Sequence, residues 1–290
     1  MLGIIGTVPD QSFPLTHGPV HWSGDHLQID GRRIAVNRGT PALIGAALNA
    51  GKQIDTPEIH AIIVGDIGKG EGSRCLYRFL ENELDQWDFQ VLTFHYLQPD
   101  VDWHNRVMFA IDRLPQRPLL IADAGFMYAA KMSGQAPAYD FFTPDAGELA
   151  FLADETAPHP FYTRGFILHE QNKVPELIQR AYQHGNAARH LLVKGATDYI
   201  TEANRITATV DHPGFDAMEA IGGTGDTLTG LLTVLCGAGY APTQAAELAA
   251  RANRRSGQLA DPSPATQIAE LIARIPEALT TVLGEFAGPP

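Results

Sequence analysis

Along the chain, short apolar runs alternate with longer stretches whose apolar residues recur every three or four positions. Ala61–Val64, Val91–Phe94, Leu119–Ala122, Asp140–Thr143 and Leu191–Lys194 are short runs, mostly continuous in apolar character, as expected of strands covered on both faces. Between them NRGTPALIGAALNAG, CLYRFLENEL and WHNRVMFAIDRL read as helices. The first opens with Thr40 as cap and Pro41 in the first turn, and stops at Gly51. Leu228, Leu231, Leu232 and Leu235 keep the i, i+3, i+4, i+7 spacing of a helix, as do Ile268, Leu271, Ile272 and Ile275. ITEANRITATV, with Asn204 near its tip, reads as a hairpin, and DPSPAT, Asp261 to Thr266, separates the last two helices. This rhythm predicts an α/β fold around a mainly parallel sheet. Residues 1–30 read only as irregular short strands joined by Gly and Asp turns, leading to a strand Arg33–Val36. No repeat or linker divides the chain, so residues 1–290 are expected to form one domain.

The strand ends carry more chemistry than the strands. Gly65-Asp66, His95, Asp123, Thr143 and Lys194-Gly195 each follow a predicted strand. In open α/β sheets ligands bind outside the carboxyl ends of the strands. Polar residues and Gly also simply terminate strands, so the series, rather than any one member, points to a site along that edge.

Composition narrows the classes. The hydrophobic fraction of 44% and charged fraction of 19% are those of an ordinary globular chain. A formal net charge of −12 argues against nucleic acid or an anionic membrane as partner. Cys75 and Cys236 lack a CxxC pattern and sit in helical stretches, so both are expected to be reduced core or near-core thiols. The N-terminus has no basic leader, and no apolar stretch reaches membrane-spanning length, which makes a cytoplasmic location the expectation.

VGDIGKGEGSR, Val64 to Arg74, fails as a P-loop: Gly65 lies too close to Gly68-Lys69, and Gly70 stands where Ser or Thr should bind Mg²⁺. It remains a glycine-rich turn of the kind that can lie near a ligand. His17, His21 and His26 cluster in sequence, but Gly18-Pro19 breaks any helical metal-ligand spacing, leaving solvated or core histidines. AIGGTGDTLTG, Ala220 to Gly230, is different. Gly222, Gly223 and Gly225 precede Asp226 at the start of the leucine-spaced helix. Unpaired N–H groups and the helix dipole make such a start an anion site, and glycines let a phosphate approach the backbone. A carboxylate there can accept a proton from an attacking hydroxyl. Helix capping alone would explain the Asp but not the glycine density.

GGTGDTLTG is similar to the GG[ST]GDxLTG signature of the ribokinase-like superfamily, in particular the ADP/ATP-dependent NAD(P)H-hydrate dehydratases. TPDAGELAFL, Thr143 to Leu152, resembles that family's TPHxGE segment; LLVKGATDYI, Leu191 to Ile200, its strand ending in KG; PLLIADAG, Pro118 to Gly125, the strand ending in its DAD segment. The likeness runs from Pro118 to Gly230, and before residue 100 it extends only to βα rhythm. It implies a three-layer αβα sandwich with nucleotide and substrate across the carboxyl edge of the sheet. Asp226 would be the base, and Gly223, Thr224 and Gly225 would supply the anion-hole amides. Lys194, Gly195, Thr197 and Gly222 would lie on the nucleotide side. Asp123, Asp145 and Glu148 would lie near the substrate, as would Gly39 and Thr40 of the segment Asn37-Arg38-Gly39-Thr40.

The resemblance also implies Mg²⁺ with ADP or ATP, a small-molecule substrate and, commonly, a homo-oligomer. The implied reaction phosphorylates the hydroxyl of hydrated NADH or NADPH and then eliminates the phosphate. Asp145 replaces the family's His, and Asp123-Ala124-Gly125 replaces DAD; these departures bear on the substrate more than on phosphoryl transfer. APHPFYTRGFILH, Ala157 to His169, has no counterpart and is either a surface insertion or a substrate lid offering Tyr162 and Arg164. Two alternatives stand beside the dehydratase. One is a kinase for a sugar-like alcohol, since the thiazole and pyrimidine kinases commonly carry Cys where Asp226 stands. The other is a nucleotide-binding module without turnover.

Overall fold

The computed structural model describes residues 1–155, 173–263 and 265–287; the segment Ala157–His169, with Tyr162 and Arg164, lies outside them. Six strands run parallel: β1 (Leu2–Val8), β5 (Ile59–Gly65), β6 (Val91–His95), β7 (Leu119–Asp123), β8 (Phe141–Phe142) and β9 (His190–Val193). An antiparallel meander of β2 (Thr16–Ser23), β3 (His26–Ile29) and β4 (Arg32–Ala35) extends one side. The hairpin β10 (Asp198–Glu202) and β11 (Arg205–Val210) extends the other. The sheet order is β11-β10-β9-β8-β7-β6-β1-β5-β2-β3-β4.

Helices cover both faces, which is why the parallel strands read as continuous apolar runs: every residue of β1, β5 and β6 is buried. On one face α1 (Thr40–Ala50), α7 (Thr224–Gly237), α8 (Pro242–Ala260) and α9 (Ile268–Ala287) share one apolar core. On the other, α2 (Glu71–Glu83), α3 (Val101–Asp112), α4 (Gly125–Met132), α5 (Ala146–Ala153) and α6 (Val174–Gln183) share a second. Among the described residues no helix is long and apolar enough to cross a membrane.

Three local expectations need correction. The N-terminal stretch is not merely irregular: β1 is a central strand, paired along its length with β5 and with β6. Its apolar run looks short because Gly3 and Gly6 interrupt it, and both are there for close packing. A Cβ on Gly3 would come 2.6 Å from Leu92 Cδ2, and one on Gly6 would come 2.5 Å from Thr40 Oγ1. Thr40 does not cap α1. Gly39, at φ 69°, is the cap residue, and Thr40 is the first helical residue with its hydroxyl turned elsewhere. Cys75 is exposed, because it lies on the solvent side of α2, whereas Cys236 is buried as expected.

Candidate active site

The carboxyl ends of the parallel strands bring the predicted residues to one edge. His95 ends β6 and pairs in register with Asp123 at the end of β7, while Gly6 of β1 lies opposite His95. The absent Cβ of Gly6 leaves room for the start of α1, so Gly39 and Thr40 reach the same place. Asp145 and Lys194 form a parallel bridge beyond β8 and β9, and Lys194 N donates to Pro144 O at 2.8 Å. The TPDAGE and KG segments therefore run side by side.

Asp226 is the third residue of α7. Gly223, the cap, has φ 110°, a left-handed value that favours glycine, and a Cβ there would come 2.8 Å from Ile268. The helix's first bond runs from Thr227 N to Gly223 O. The N–H groups of Gly223, Thr224, Gly225 and Asp226 thus have no acceptor within the helix and face its N-terminal end. Gly222 is exposed, and the place where its Cβ would stand lies 3.9 Å from side-chain carbons of the exposed Arg38. Arg38 therefore sits beside the glycine turn, as the Asn37–Thr40 segment suggested.

Both oxygens of Asp226 have protein partners. Gly39 N donates to Oδ2 at 2.7 Å, and His95 Nε2 lies 3.0 Å from Oδ1. An ionised carboxylate only accepts, so His95 carries its proton on Nε2 there. The other ring nitrogen, Nδ1, lies 3.0 Å from Thr40 Oγ1. Burial opposes ionisation of Asp226. The His95 hydrogen bond and charge, Lys194 and the Gly39 N–H outweigh it and hold the carboxyl below its ordinary value. Only 8% of the residue is exposed, so its remaining lone pairs open on a narrow front.

Beside it, Lys194 Nζ spans both oxygens of Asp123 at 2.8 and 3.0 Å. Thr229 Oγ1 donates to Asp123 Oδ2 at 2.6 Å, and Ala124 N donates to Oδ1 at 2.8 Å. Burial alone would lower the Lys194 pKa; the charges of Asp123 and Glu148 raise it instead, so the ammonium is retained. Asp145 and Glu148 form a capping box at the start of α5: Asp145 Oδ1 accepts from Glu148 N at 2.7 Å, and Glu148 Oε2 accepts from Asp145 N at 2.9 Å. Gly195 N donates to Asp198 Oδ1 at 3.1 Å, and Gly195 and Ala196 are exposed, with Thr197 half-buried behind them.

His95 was legible from sequence only as a polar residue ending a strand. Its pairing with Asp226 depends on β1 inserting between β5 and β6, which no local pattern announces. The glycine-rich turn after β5 is also not what its sequence suggested. Asp66 fills it from within, accepting from the N–H groups of Gly68, Lys69 and Gly70 on Oδ1, and from Ser73 N and Oγ on Oδ2. Those amides are no longer free for a phosphate. A cavity of about 240 Å³ lies over this turn, against Gln11, Phe13, Pro14 and Leu15, two strands along the edge from His95. Its backbone donors are spent, so the open donors of α7 are the better anion site.

Among the described residues, His95, Asp123 and Asp226 are the one group close enough to share a cation, their ligand atoms lying within 4.8 Å of one another. The group does not fit a directly bound Mg²⁺, which prefers oxygen ligands in octahedral geometry. Asp123 already holds an ammonium, and an oxygen of Asp226 takes the His95 proton. Asp145 is an exposed carboxylate of the site with one oxygen committed to Glu148 N.

The profile of the NAD(P)H-hydrate dehydratase family matches residues 102–277, more than half of the chain. The chain belongs to this family. The matched span holds Asp123, the capping box, Lys194 and the whole glycine turn with Asp226. An uncharacterised protein of Methanocaldococcus jannaschii is 40% identical over 242 residues, 83% of this chain and all of that relative. A bifunctional NAD(P)H-hydrate repair enzyme of Hyperthermus butylicus is 37% identical over 103 residues, 35% of this chain. This dehydratase-family chain covers 18% of that longer relative. The ADP/ATP-dependent NAD(P)H-hydrate dehydratase of Bacillus subtilis, crystallised with ATP and Mg²⁺, superposes with a TM-score of 0.57 over 98% of this chain and 89% of its own. At 15% identity that likeness establishes the ribokinase-like αβα fold.

Proposed function

We propose that this dehydratase-family chain restores NADH or NADPH from their hydrates, using ADP or ATP, with Asp226 as the base. One observation carries the reading. Asp226 is kept ionised at the mouth of a helix whose first N–H groups lack acceptors, and a retained ammonium, Lys194, lies next to it. Asp226 takes the proton of the hydrate's hydroxyl as that oxygen bonds to the terminal phosphorus and the bond from phosphorus to the departing nucleotide oxygen breaks. The amides of Gly223, Thr224 and Gly225 face the charge that develops on the transferred group, and Arg38 lies beside that turn. The carbon–oxygen bond then breaks with the phosphate leaving, and loss of a proton from the neighbouring carbon restores the double bond. Lys194, tied to Asp123, contributes positive charge on the side of that departure.

Lys194, Gly195, Thr197 and Gly222 form the nucleotide side of this reading. Asp123, Asp145, Glu148, Gly39 and Thr40 form the substrate side. Mg²⁺ bound with the nucleotide, outside the His95–Asp123–Asp226 cluster, would supply charge neutralisation on the phosphates. The chain acts as one domain, in the cytoplasm and as a homo-oligomer.

The test is recovery of nicotinamide absorbance from hydrated NADH or NADPH with Mg²⁺ and either nucleotide. Recovery with release of phosphate supports the reading, and no recovery with either nucleotide overturns it. Asp145, in place of the family's His, keeps a kinase for sugar-like alcohols as the second reading. Transfer to such an alcohol without release of phosphate would select it. Thermal stabilisation by nucleotide, with neither reaction, would select a module that only binds.

A further inference from the structure

His95 ends β6, and the next residue turns the chain sharply. Tyr96 has φ 56°, in the left-handed region that bulky residues rarely adopt. Thr7 Oγ1, from the end of β1, donates to Tyr96 O at 2.8 Å and fixes this turn. Leu97 is thereby sent into the core at 1% exposure, while Tyr96 is left 39% exposed. A glycine would take this backbone without strain, so the strain is retained for the sake of a side chain. Packing accounts for only part of that side chain, because more than a third of the residue stays exposed. No hydrogen bond from a described residue to its hydroxyl accounts for the rest.

Its surroundings supply the reason. The ring centroid lies 4.3 Å from that of His95, with the planes at 66°. A Cβ on Gly39 would lie 3.7 Å from the Tyr96 ring. His95 and Gly39 are the two residues that hold the oxygens of Asp226. One face of an exposed aromatic ring is therefore fixed beside the base by the base's own supports.

We propose that Tyr96 is the platform on which the planar, conjugated N–C=C–carboxamide part of the hydrated ring lies, turning the hydroxyl on the ring's tetrahedral carbon toward Asp226. The inference rests on the proposed activity and adds a residue that selects the substrate rather than the nucleotide. Stacking of a planar conjugated group on an aromatic side chain is commonly worth a ten-fold change in affinity or more.

Tyr96→Gly and Tyr96→Phe test it, with Tm, KM for the hydrate and KM for the nucleotide measured on each. Tyr96→Gly relieves the backbone, so its Tm should equal or exceed that of the wild type. Its KM for the hydrate should rise roughly ten-fold or more, with KM for the nucleotide within about two-fold. Tyr96→Phe should keep the wild-type KM. An unchanged KM for the hydrate in Tyr96→Gly, or an equal rise in both KM values, overturns the platform while leaving the reaction intact. If the wild type shows no turnover, the proposed activity fails separately, and equilibrium titration with NADPH then decides the platform. Binding weakened roughly ten-fold in Tyr96→Gly supports it; equal binding by both proteins, or none, overturns it.

Discussion

Asp226 has two oxygens, and the fold gives each of them a partner from a different strand–helix junction. Gly39 arrives from the start of α1 and His95 from the end of β6, so the carboxylate is aimed as well as ionised. Its pKa is lowered, and a group of that kind stays charged above its ordinary value of 3.8 and loses its charge only as pH falls through the lower folded value. The proposed base is therefore ionised across the neutral range. His95→Ala removes one donor and the largest influence that lowers this pKa. A hydrogen bond to a charged group is worth about 1.5–3 kcal/mol, so kcat should fall on the order of ten- to a hundred-fold. The acid limb of kcat/KM should also move to higher pH; an unmoved limb in a pH–rate profile would show that His95 does not tune Asp226.

Glu148 has the opposite shift. Burial first, then the charges of Asp145 and Asp123, push it up from 4.5 to about 8, against the pull of Lys194. The folded chain keeps a proton that the unfolded chain releases, so ionising Glu148 weakens the fold as pH rises from about 4.5 to about 8. Glu148→Gln still offers an acceptor to Asp145 N but cannot ionise. Its Tm should gain on that of the wild type steadily through that window, and parallel Tm curves would contradict the shift.

One turn of α8 braces both loops that would face a nucleotide. Asn253 Nδ2 donates to Thr224 O at 3.0 Å, tying down the glycine turn, and Thr227 Oγ1 donates to Asn253 Oδ1 at 2.7 Å. The next residue, Arg254, is buried; it pairs with Asp198 at 2.8 Å and donates to Gly195 O and Ala196 O at 2.8 and 3.0 Å. Burial raises the pKa of Asp198 even with this partner, so removing the guanidinium would strand a buried acid. Arg254→Ala should cost about 3–5 kcal/mol in denaturant unfolding, as for other buried pairs broken on one side. Nucleotide affinity should weaken with it as the Lys194–Thr197 loop loses its anchors. A stability loss under about 1 kcal/mol, the range of exposed pairs, would contradict this account of the brace.

At the scale of the whole molecule, the edge of the sheet was readable because five of the strands are each followed by a residue that breaks the apolar run. The glycine turn with Asp226, Lys194 and Asp123 lies in local motifs, so the sequence carried these on its face. His95 did not stand out, because a polar residue after a strand is ordinary and its meaning comes only from β1 lying beside it. The first strand itself was obscured by Gly3 and Gly6, whose missing side chains look like turns in sequence and serve close packing in the fold. The Asp66 turn misled in the other direction: a run of glycines advertises free amides, and nothing local reveals that the preceding carboxylate consumes them. Pairings across strands distant in sequence decided each of these cases except the last, where a side chain folded back on its own loop.

The central claim is that Asp226 accepts the proton of a substrate hydroxyl during nucleotide-dependent repair. The most direct measurement compares the wild type and Asp226→Asn for recovery of nicotinamide absorbance from hydrated NADPH, with nucleotide affinity measured on both proteins. The amide keeps the shape of the side chain but cannot take the proton. The account predicts a loss of turnover on the order of 10²–10⁴-fold with nucleotide binding largely spared. Turnover by Asp226→Asn at the wild-type rate would contradict it.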